Sequence, residues 1–274
     1  DKIESKYIKK KQKFFKGDIK NISNNQSIFK GLDYVFNFAG IADIGQSKQK
    51  PTETILENIL PVVKILELCS KYKVKKFIFA SSSSVYGDQK FFPKSEKSEL
   101  NPINLYSLSK LSNEQFAKSM SKNMNTKVIG LRFFTIYGPW GRPDMMILKY
   151  LIASKKNLNF LLYNKGHHFR DFTYIDDAVD ICETIINKKI KKKFDIFNIC
   201  SSKPILITKV IKEINRYVKK PRILKKPRDK ADVYKTFGDN KKINKFLKKK
   251  YKFMDYKKGI QNTCNWFLNN KNLI

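Results

Sequence analysis

Two features of this sequence have residue types and spacing suited to proton chemistry. One is a tyrosine followed four positions later by lysine, and the other is a run of serines closing an apolar segment. On a helix, positions i and i+4 share a face. A lysine ammonium placed there lowers the pKa of the phenol from its usual value of about 10, which makes a tyrosinate available as a base. The spacing occurs four times, at Tyr7/Lys11, Tyr72/Lys76, Tyr86/Lys90 and Tyr106/Lys110. Tyr86/Lys90 spans Gly87-Asp88, a poor helix, and Tyr72/Lys76 runs from a helix end into a strand. Tyr7/Lys11 sits in a basic opening segment with no serine upstream. Tyr106/Lys110 opens a good helix just after the Asn101-Pro102 turn. The serines of "FASSSSVYG", Ser81 to Ser84, end an apolar run 22 positions before that tyrosine, counted from Ser84. That distance lets a loop return to the same strand edge. A surface tyrosine beside a lysine, with serines as loop filler, is the competing structural reading.

The elements that must position these residues alternate. "LDYVFNFAG" (32–40) reads as a buried strand ending in a glycine turn, and "KKFIFASS" (75–82) and "TKVIGLRFF" (126–134) read as further strands. Between them, Thr52 to Tyr72 carries apolar residues at helical spacing, with Pro61 forcing a kink or a break, and Leu105 to Met120 forms a second helix. Strand–helix alternation predicts an α/β fold, a Rossmann-like doubly wound parallel sheet covered on both faces. Ligands then sit at the carboxyl ends of the strands, here Asn37–Gly40, Ser81–Ser84 and Phe133–Tyr137. After about residue 140 the pattern becomes irregular, with a helix near 144–154, a turn-rich stretch and a helix at 174–187. The expected organisation is a Rossmann-like domain over 1–140 and a smaller C-terminal α/β substrate lobe over 141–274. Segments from about 165 to 200 are expected to return to the first sheet.

Composition bounds the function class. The 274 residues are 41 % hydrophobic and 13 % aromatic, enough for a sizeable core and unlike a disordered chain. Lys and Arg (57) outnumber Asp and Glu (24), giving a formal charge of +33. Such a charge invites a nucleic-acid reading. The lysines are nevertheless spread along the whole chain, which points to solvated faces, and the field favours any phosphate-bearing ligand. The four cysteines, Cys69, Cys182, Cys200 and Cys264, have no C-x-x-C or zinc spacing, so no metal is expected. With no apolar run of the roughly 18 residues a span requires and no signal peptide, a cytoplasmic protein without a membrane partner is expected.

The Ser84, Tyr106 and Lys110 set, together with "RFFTIYGPWGRPDM" (132–145) and "RDFTYIDD" (170–177), resembles the extended short-chain dehydrogenase/reductase family. Within it the chain looks most like the NAD-dependent nucleotide-sugar epimerases, UDP-glucuronate 4-epimerases above all, from about residue 14 to 268. The resemblance implies Ser84, Tyr106 and Lys110 as catalytic residues. It implies Asp18 and Ile19 at the adenine end of NAD, Phe38, Ala39 and Gly40 lining the cofactor, and Asn58 on its side. Tyr106 and Lys110 also face the nicotinamide ribose in this reading, and Phe134 closes beside the nicotinamide. For the UDP-sugar it implies Ser84 and Thr135, the latter where UDP-galactose epimerases carry asparagine. Arg142, Arg170 and Arg228 follow toward substrate and diphosphate, and Asp232 toward the nucleoside. Arg228 stands one position off the common spacing, and Arg142 is equally suited to a salt bridge. The reaction implied is inversion at C4 of UDP-glucuronate to UDP-galacturonate through a 4-keto sugar, by a homodimer. The Thr/Ser-Asp-Glu triplet of the sugar 4,6-dehydratases is replaced by Ser83-Ser84-Val85, which argues against dehydration. Other epimerase, decarboxylase or reductase chemistry stays open, as does a non-catalytic nucleotide-sugar or nucleic-acid binder.

One family feature is missing. The first strand of such folds carries a G-x-x-G-x-x-G loop that binds the pyrophosphate. Here Gly17 is the first glycine and Gly31 the next. The first β-α-β portion is therefore expected to be absent, and the chain to be a fragment of a longer enzyme.

Overall fold

The computed structural model describes residues 12–228, 233–248 and 250–270. After short 3₁₀ turns over Ile19–Phe29 come β1 (Tyr34–Asn37), α1 (Ile44–Gln49), α2 (Pro51–Asn58), α3 (Leu60–Lys71) and β2 (Lys76–Ser82). Next follow α4 (Leu105–Ser121), β3 (Lys127–Phe133), β4 (Thr135–Tyr137), α5 (Met146–Lys155) and β5 (Phe160–Tyr163). β6 (Phe169–Tyr174), α6 (Ile175–Asn187), β7 (Phe194–Ile199) and β8 (Pro204–Leu206) come next. The last elements are α7 (Ile207–Ile214), β9 (Ile223–Lys226), α8 (Lys241–Leu247) and α9 (Tyr256–Asn269). They divide into two compact units. Of the described residues, one holds those up to Ser81 with Asn104–Leu131 and Ile190–Ile196; the other holds Ser82–Ile103, Arg132–Lys189 and those from Phe197 on.

The first unit is built on a sheet of order β1-β2-β3-β7. β1 and β2 run parallel, with Tyr34 opposite Lys76 and Asn37 opposite Phe79. Local chemistry sets the helices that cover it. Asp43 accepts the Gln46 N–H at 2.5 Å to start α1, and Pro51 opens α2, where its missing N–H costs nothing. Pro61 produces a break: α2 ends at Asn58, and α3 restarts with that proline in its first turn. α4 begins with a reciprocal cap. Asn104 Oδ1 accepts the Ser107 N–H (2.9 Å), and Ser107 Oγ accepts the Asn104 N–H (3.2 Å). The core gathers Leu66, Cys69, Phe77, Phe79 and Val128, all fully buried. Gly130 is required there, because a Cβ would come within 2.3 Å of Ile196 Cδ1 and 2.9 Å of Phe79 Cζ.

β1 departs from the sequence expectation. It is the terminal strand of its sheet, and Tyr34 (37 %) and Phe36 (38 %) are exposed. An apolar run is read as buried when strands flank it on both sides. Among the described residues β1 has a strand only on its β2 side, so its other edge and one aromatic face remain uncovered.

The second unit carries two small sheets, β4-β6-β8 and β5-β9. β6 runs parallel to β4 and antiparallel to β8. Its core packs Tyr150, Leu151, Phe160, Val210, Ile214, Ile260 and Cys264. The stretch expected to be turn-rich therefore holds two strands. "FLLY" is too short to show alternation, and Asn and Gly around it read as loop. Between 165 and 200, β7 belongs to the four-stranded sheet, whereas β6 pairs elsewhere.

Candidate active site

α4 presents Tyr106 and Lys110 on one face, with Nζ 5.9 Å from the centroid of the Tyr106 ring. The tyrosine is half-buried and the lysine is only 5 % exposed. Lys110 Nζ donates to the Ala80 carbonyl at 3.0 Å. Burial pushes the ammonium pKa down from 10.5 to about 8, because a charge removed from water favours its neutral form. One turn further, Glu114 accepts a hydrogen bond from Ser81 Oγ at 2.5 Å. Lys110 and Glu114 thus fasten α4 to consecutive residues at the end of β2. That bolt fixes the phase of the helix and the direction of Tyr106.

A cleft of about 840 Å³ opens in the same unit at the carboxyl end of β1, lined among others by Asp18, Ile19, Phe38, Ala39 and Gly40. These five of the sequence-predicted cofactor residues are brought together. Asp18 also caps the turn behind it, accepting the Lys20 N–H at 3.0 Å. Gly40 has φ +146°, and a Cβ there would lie 2.6 Å from Asn58 Oδ1, so only glycine lets the turn pass this close.

Asn58, expected at the side of the cofactor, packs inside the fold. It is 2 % exposed and its amide is engaged inside the fold. Oδ1 accepts the Ile41 N–H (2.7 Å), and Nδ2 donates to Ile41 O and to Ser109 Oγ (both 2.9 Å). Ser109 in turn donates to the Tyr106 carbonyl (2.7 Å). Asn58 therefore ties the glycine turn to the first turn of α4 and holds the wall of the cleft in shape.

In the second unit, Ser84 lies in the short 3₁₀ turn Ser83–Tyr86, half-buried. Phe134 is buried, its N–H bonded to Ile199 O (3.1 Å) and its ring 6.3 Å from that of Tyr86. Thr135 opens β4 opposite Phe172. Arg170 and Arg228 converge on Tyr234. Arg170 Nη1 donates to its carbonyl (3.3 Å), and the Arg228 guanidinium lies 5.9 Å from its ring. Two of the three expected arginines are paired with carboxylates. Arg228 is paired with Asp88, which also accepts the Tyr234 N–H (2.9 Å). Arg142 forks onto Asp144, Nε to Oδ1 at 3.1 Å and Nη2 to Oδ2 at 2.5 Å. That fork holds the Asp144 carboxyl below its usual range. Each of these two guanidinium groups thus already has a carboxylate partner. Asp232 lies outside the described residues.

Sequence reasoning passed over several buried polar groups: Glu114, Tyr86, Arg132 and Asn198. The signal was there in part. Arg132 in "GLRFF" and Asn198 in "IFNIC" interrupt apolar strand runs, where a polar side chain needs buried partners. Among the described residues, no group of three or more His, Cys, Asp or Glu side chains is placed to hold a metal ion. Nor is any helix there long and apolar enough to cross a membrane.

The parallel sheet covered by helices, with a cleft at the carboxyl end of β1, defines a Rossmann-like α/β protein. The NAD dependent epimerase/dehydratase family matches residues 2–200, and the chain belongs to that family. It is 38 % identical to the uncharacterized protein MJ1055 of Methanocaldococcus jannaschii, over 89 % of this chain and 75 % of that one. It is 30 % identical to UDP-glucuronate 4-epimerase 4 of Arabidopsis thaliana, over 92 % of this chain and 62 % of the plant protein's length. The structure of MoeE5 in complex with UDP-glucuronic acid and NAD superposes with a TM-score of 0.87 at 25 % identity. That superposition covers 93 % of this chain and 85 % of MoeE5.

Proposed function

We propose that this chain carries the catalytic side chains of an NAD-dependent UDP-sugar 4-epimerase that interconverts UDP-glucuronate and UDP-galacturonate. The observation that carries the reading is the Tyr106–Lys110 pair on one face of α4, with the lysine buried against Ala80 O. The plant UDP-glucuronate 4-epimerase and the UDP-glucuronic acid complex of MoeE5 support this sugar as the substrate.

The cleft residues fit the adenosine end of NAD. Gly40 lets the turn that walls the cleft pass close to Asn58, Asp18 offers a carboxylate for ribose hydroxyls, and Phe38 and Ala39 supply apolar walls. The pyrophosphate end needs the glycine-rich loop that these 274 residues lack. Among the described residues, the edge of β1 away from β2 has no strand beside it. Bound NAD supplies the oxidation and re-reduction at C4. Tyr106 takes the proton of the C4 hydroxyl and later returns it to the 4-keto oxygen. Lys110 keeps its ammonium on the tyrosine's face, which favours the phenolate. Ser84 donates to the C4 oxygen and steadies it as a ketone. The net-positive molecule draws in the dianionic diphosphate.

Self-association belongs to the same reading. Ile55 and Leu56 of α2 and Leu108 and Phe116 of α4 are exposed apolar residues on neighbouring helices of the first unit. Four free, buried cysteines support a reducing, cytosolic compartment.

The test is conversion of UDP-glucuronate by the natural polypeptide, with the products separated by chromatography. UDP-galacturonate is expected. Tyr106→Phe is expected to lower the rate by about 10²- to 10⁴-fold, the usual contribution of a positioned base. NAD bound without turnover, or turnover indifferent to Tyr106→Phe, overturns the reading.

A further inference from the structure

We propose that Tyr86 and Asn198 form a buried latch that positions Ser84. The proposal deepens the epimerase reading and rests on the part given there to Ser84. The turn that carries Ser84 is fixed at both ends within the second unit. At its start, Ser82 Oγ accepts the Ser84 N–H and donates to Ser84 Oγ, both at 3.1 Å. Gly87 N–H closes the turn on Ser84 O at 3.1 Å. Gly87 itself has φ +65°, and a Cβ there would fall 2.0 Å from Asn101 O, so the chain leaves the turn in a single direction.

The far end is held by Tyr86, a ring 2 % exposed. Its hydroxyl donates to Asn198 Oδ1 at 2.6 Å and accepts from Arg132 Nη1 at 2.9 Å. The Arg132 guanidinium carbon lies 4.9 Å from the ring centroid. Asn198 is fully buried on β7 and its side chain is spent. Nδ2 donates to Lys94 O (2.8 Å) and Asp239 O (3.3 Å), and its backbone N–H donates to Glu96 Oε1 (2.8 Å). One asparagine therefore joins the serine turn to the 94–96 loop and to Asp239.

The residue type is matched to that work. Only a carboxamide offers an acceptor to the phenol and two donors to carbonyls. Aspartate keeps the acceptor and loses the donors, while leucine loses both. A serine hydroxyl rotates freely, so its aim depends on the backbone beneath it. Here that backbone has one anchor two residues before Ser84 and one two residues after. Tyr86 does not reach any reacting atom in this proposal. It acts through Ser84.

Tyr86→Phe, which removes a single oxygen, tests the latch in the natural polypeptide by two independent readouts. Amide hydrogen exchange at Ser84 and Gly87 is expected to speed up at least about tenfold, with β2 amides unchanged. The kcat with UDP-glucuronate is expected to fall by about tenfold to a hundredfold, the scale of a small misplacement, with KM held. Tyr86→Phe combined with Ser84→Ala is expected to be no slower than Ser84→Ala alone, because one residue works through the other. Asn198→Asp should retain more of kcat than Asn198→Leu, and it carries the same readouts if Tyr86→Phe does not fold. Unchanged exchange at Ser84 and Gly87, or losses that multiply in the double variant, overturns the latch. If Ser84→Ala alone leaves the rate intact, the role given to Ser84 fails, and the exchange rates alone then decide whether the turn is held.

Discussion

Lys110 keeps its ammonium where charge is disfavoured, and that compromise has a pH signature. The group's pKa is down from 10.5 to about 8, through burial. Below that pH it is charged and favours the Tyr106 phenolate. As pH rises through about 8 it loses its proton, and with it the support its charge lends the base. The epimerisation rate is therefore expected to fall on the alkaline side with a midpoint near that value. Lys110→Arg, which stays charged past pH 12, should lose that alkaline limb while running slower throughout, because a larger planar guanidinium replaces a buried ammonium bonded to Ala80 O. A pH–rate profile of both forms checks this. A wild-type profile flat between about pH 7 and about pH 9 would mean that the charge of Lys110 does not assist the base. Tyr86 shows the contrast: burial raises its phenol to about 12, which fits a structural hydroxyl and not a base.

At the scale of elements, the helices were legible wherever punctuation was explicit. Asn104 with Ser107 marks the start of α4, and Pro61 separates α2 from α3. β2 and β3 were legible as apolar runs because strands flank them on both sides. β1 shows where such reading stops, since an apolar run does not say whether a neighbour is present to cover it. The strands β5 and β6 were missed because their partners, β9 and β4 with β8, lie far away in sequence or are only three or four residues long. The site divides in the same way. Tyr106 and Lys110 follow from local helical spacing, but the bonds of Asn58 were not legible because its partners, Ile41 and Ser109, are brought to it only by folding. The difference between β1 and β2 can be measured on the 274-residue chain. Phe36→Thr on the uncovered face of β1 is expected to change unfolding free energy by no more than about 0.5 kcal/mol. Phe77→Ala, at 0 % exposure on β2, is expected to cost about 3–5 kcal/mol. Urea denaturation midpoints compare the two. An equal loss at Phe36 would show that β1 is covered in solution.

For the molecule as a whole, alkaline pH should act through the cores before it acts on the surface. Each unit buries a thiol at its centre, Cys69 in the first and Cys264 in the second, both 0 % exposed. Burial raises both from 9.0 to about 12, and it raises Cys182 likewise. An acid whose folded pKa lies above its unfolded value stabilises fully below the unfolded pKa. It loses that contribution as pH climbs toward the folded one. Each thiol therefore withdraws stability between pH 9 and about 12, at up to about 1.4 kcal/mol per pH unit. Lys110 works in the opposite sense from about 8 to 10.5, since its unfolded form holds the proton longer, but it is one group against several. The charge of +33 adds a second opposing effect, because lysines that begin to titrate relieve mutual repulsion. High salt suppresses that effect and leaves the buried groups exposed to measurement. In high salt, the unfolding temperature is expected to fall steadily from pH 9 upward. Cys69→Ala, although less stable at neutral pH, should show a shallower fall. A temperature that holds or rises across this window would mean that the thiols ionise without unfolding either core.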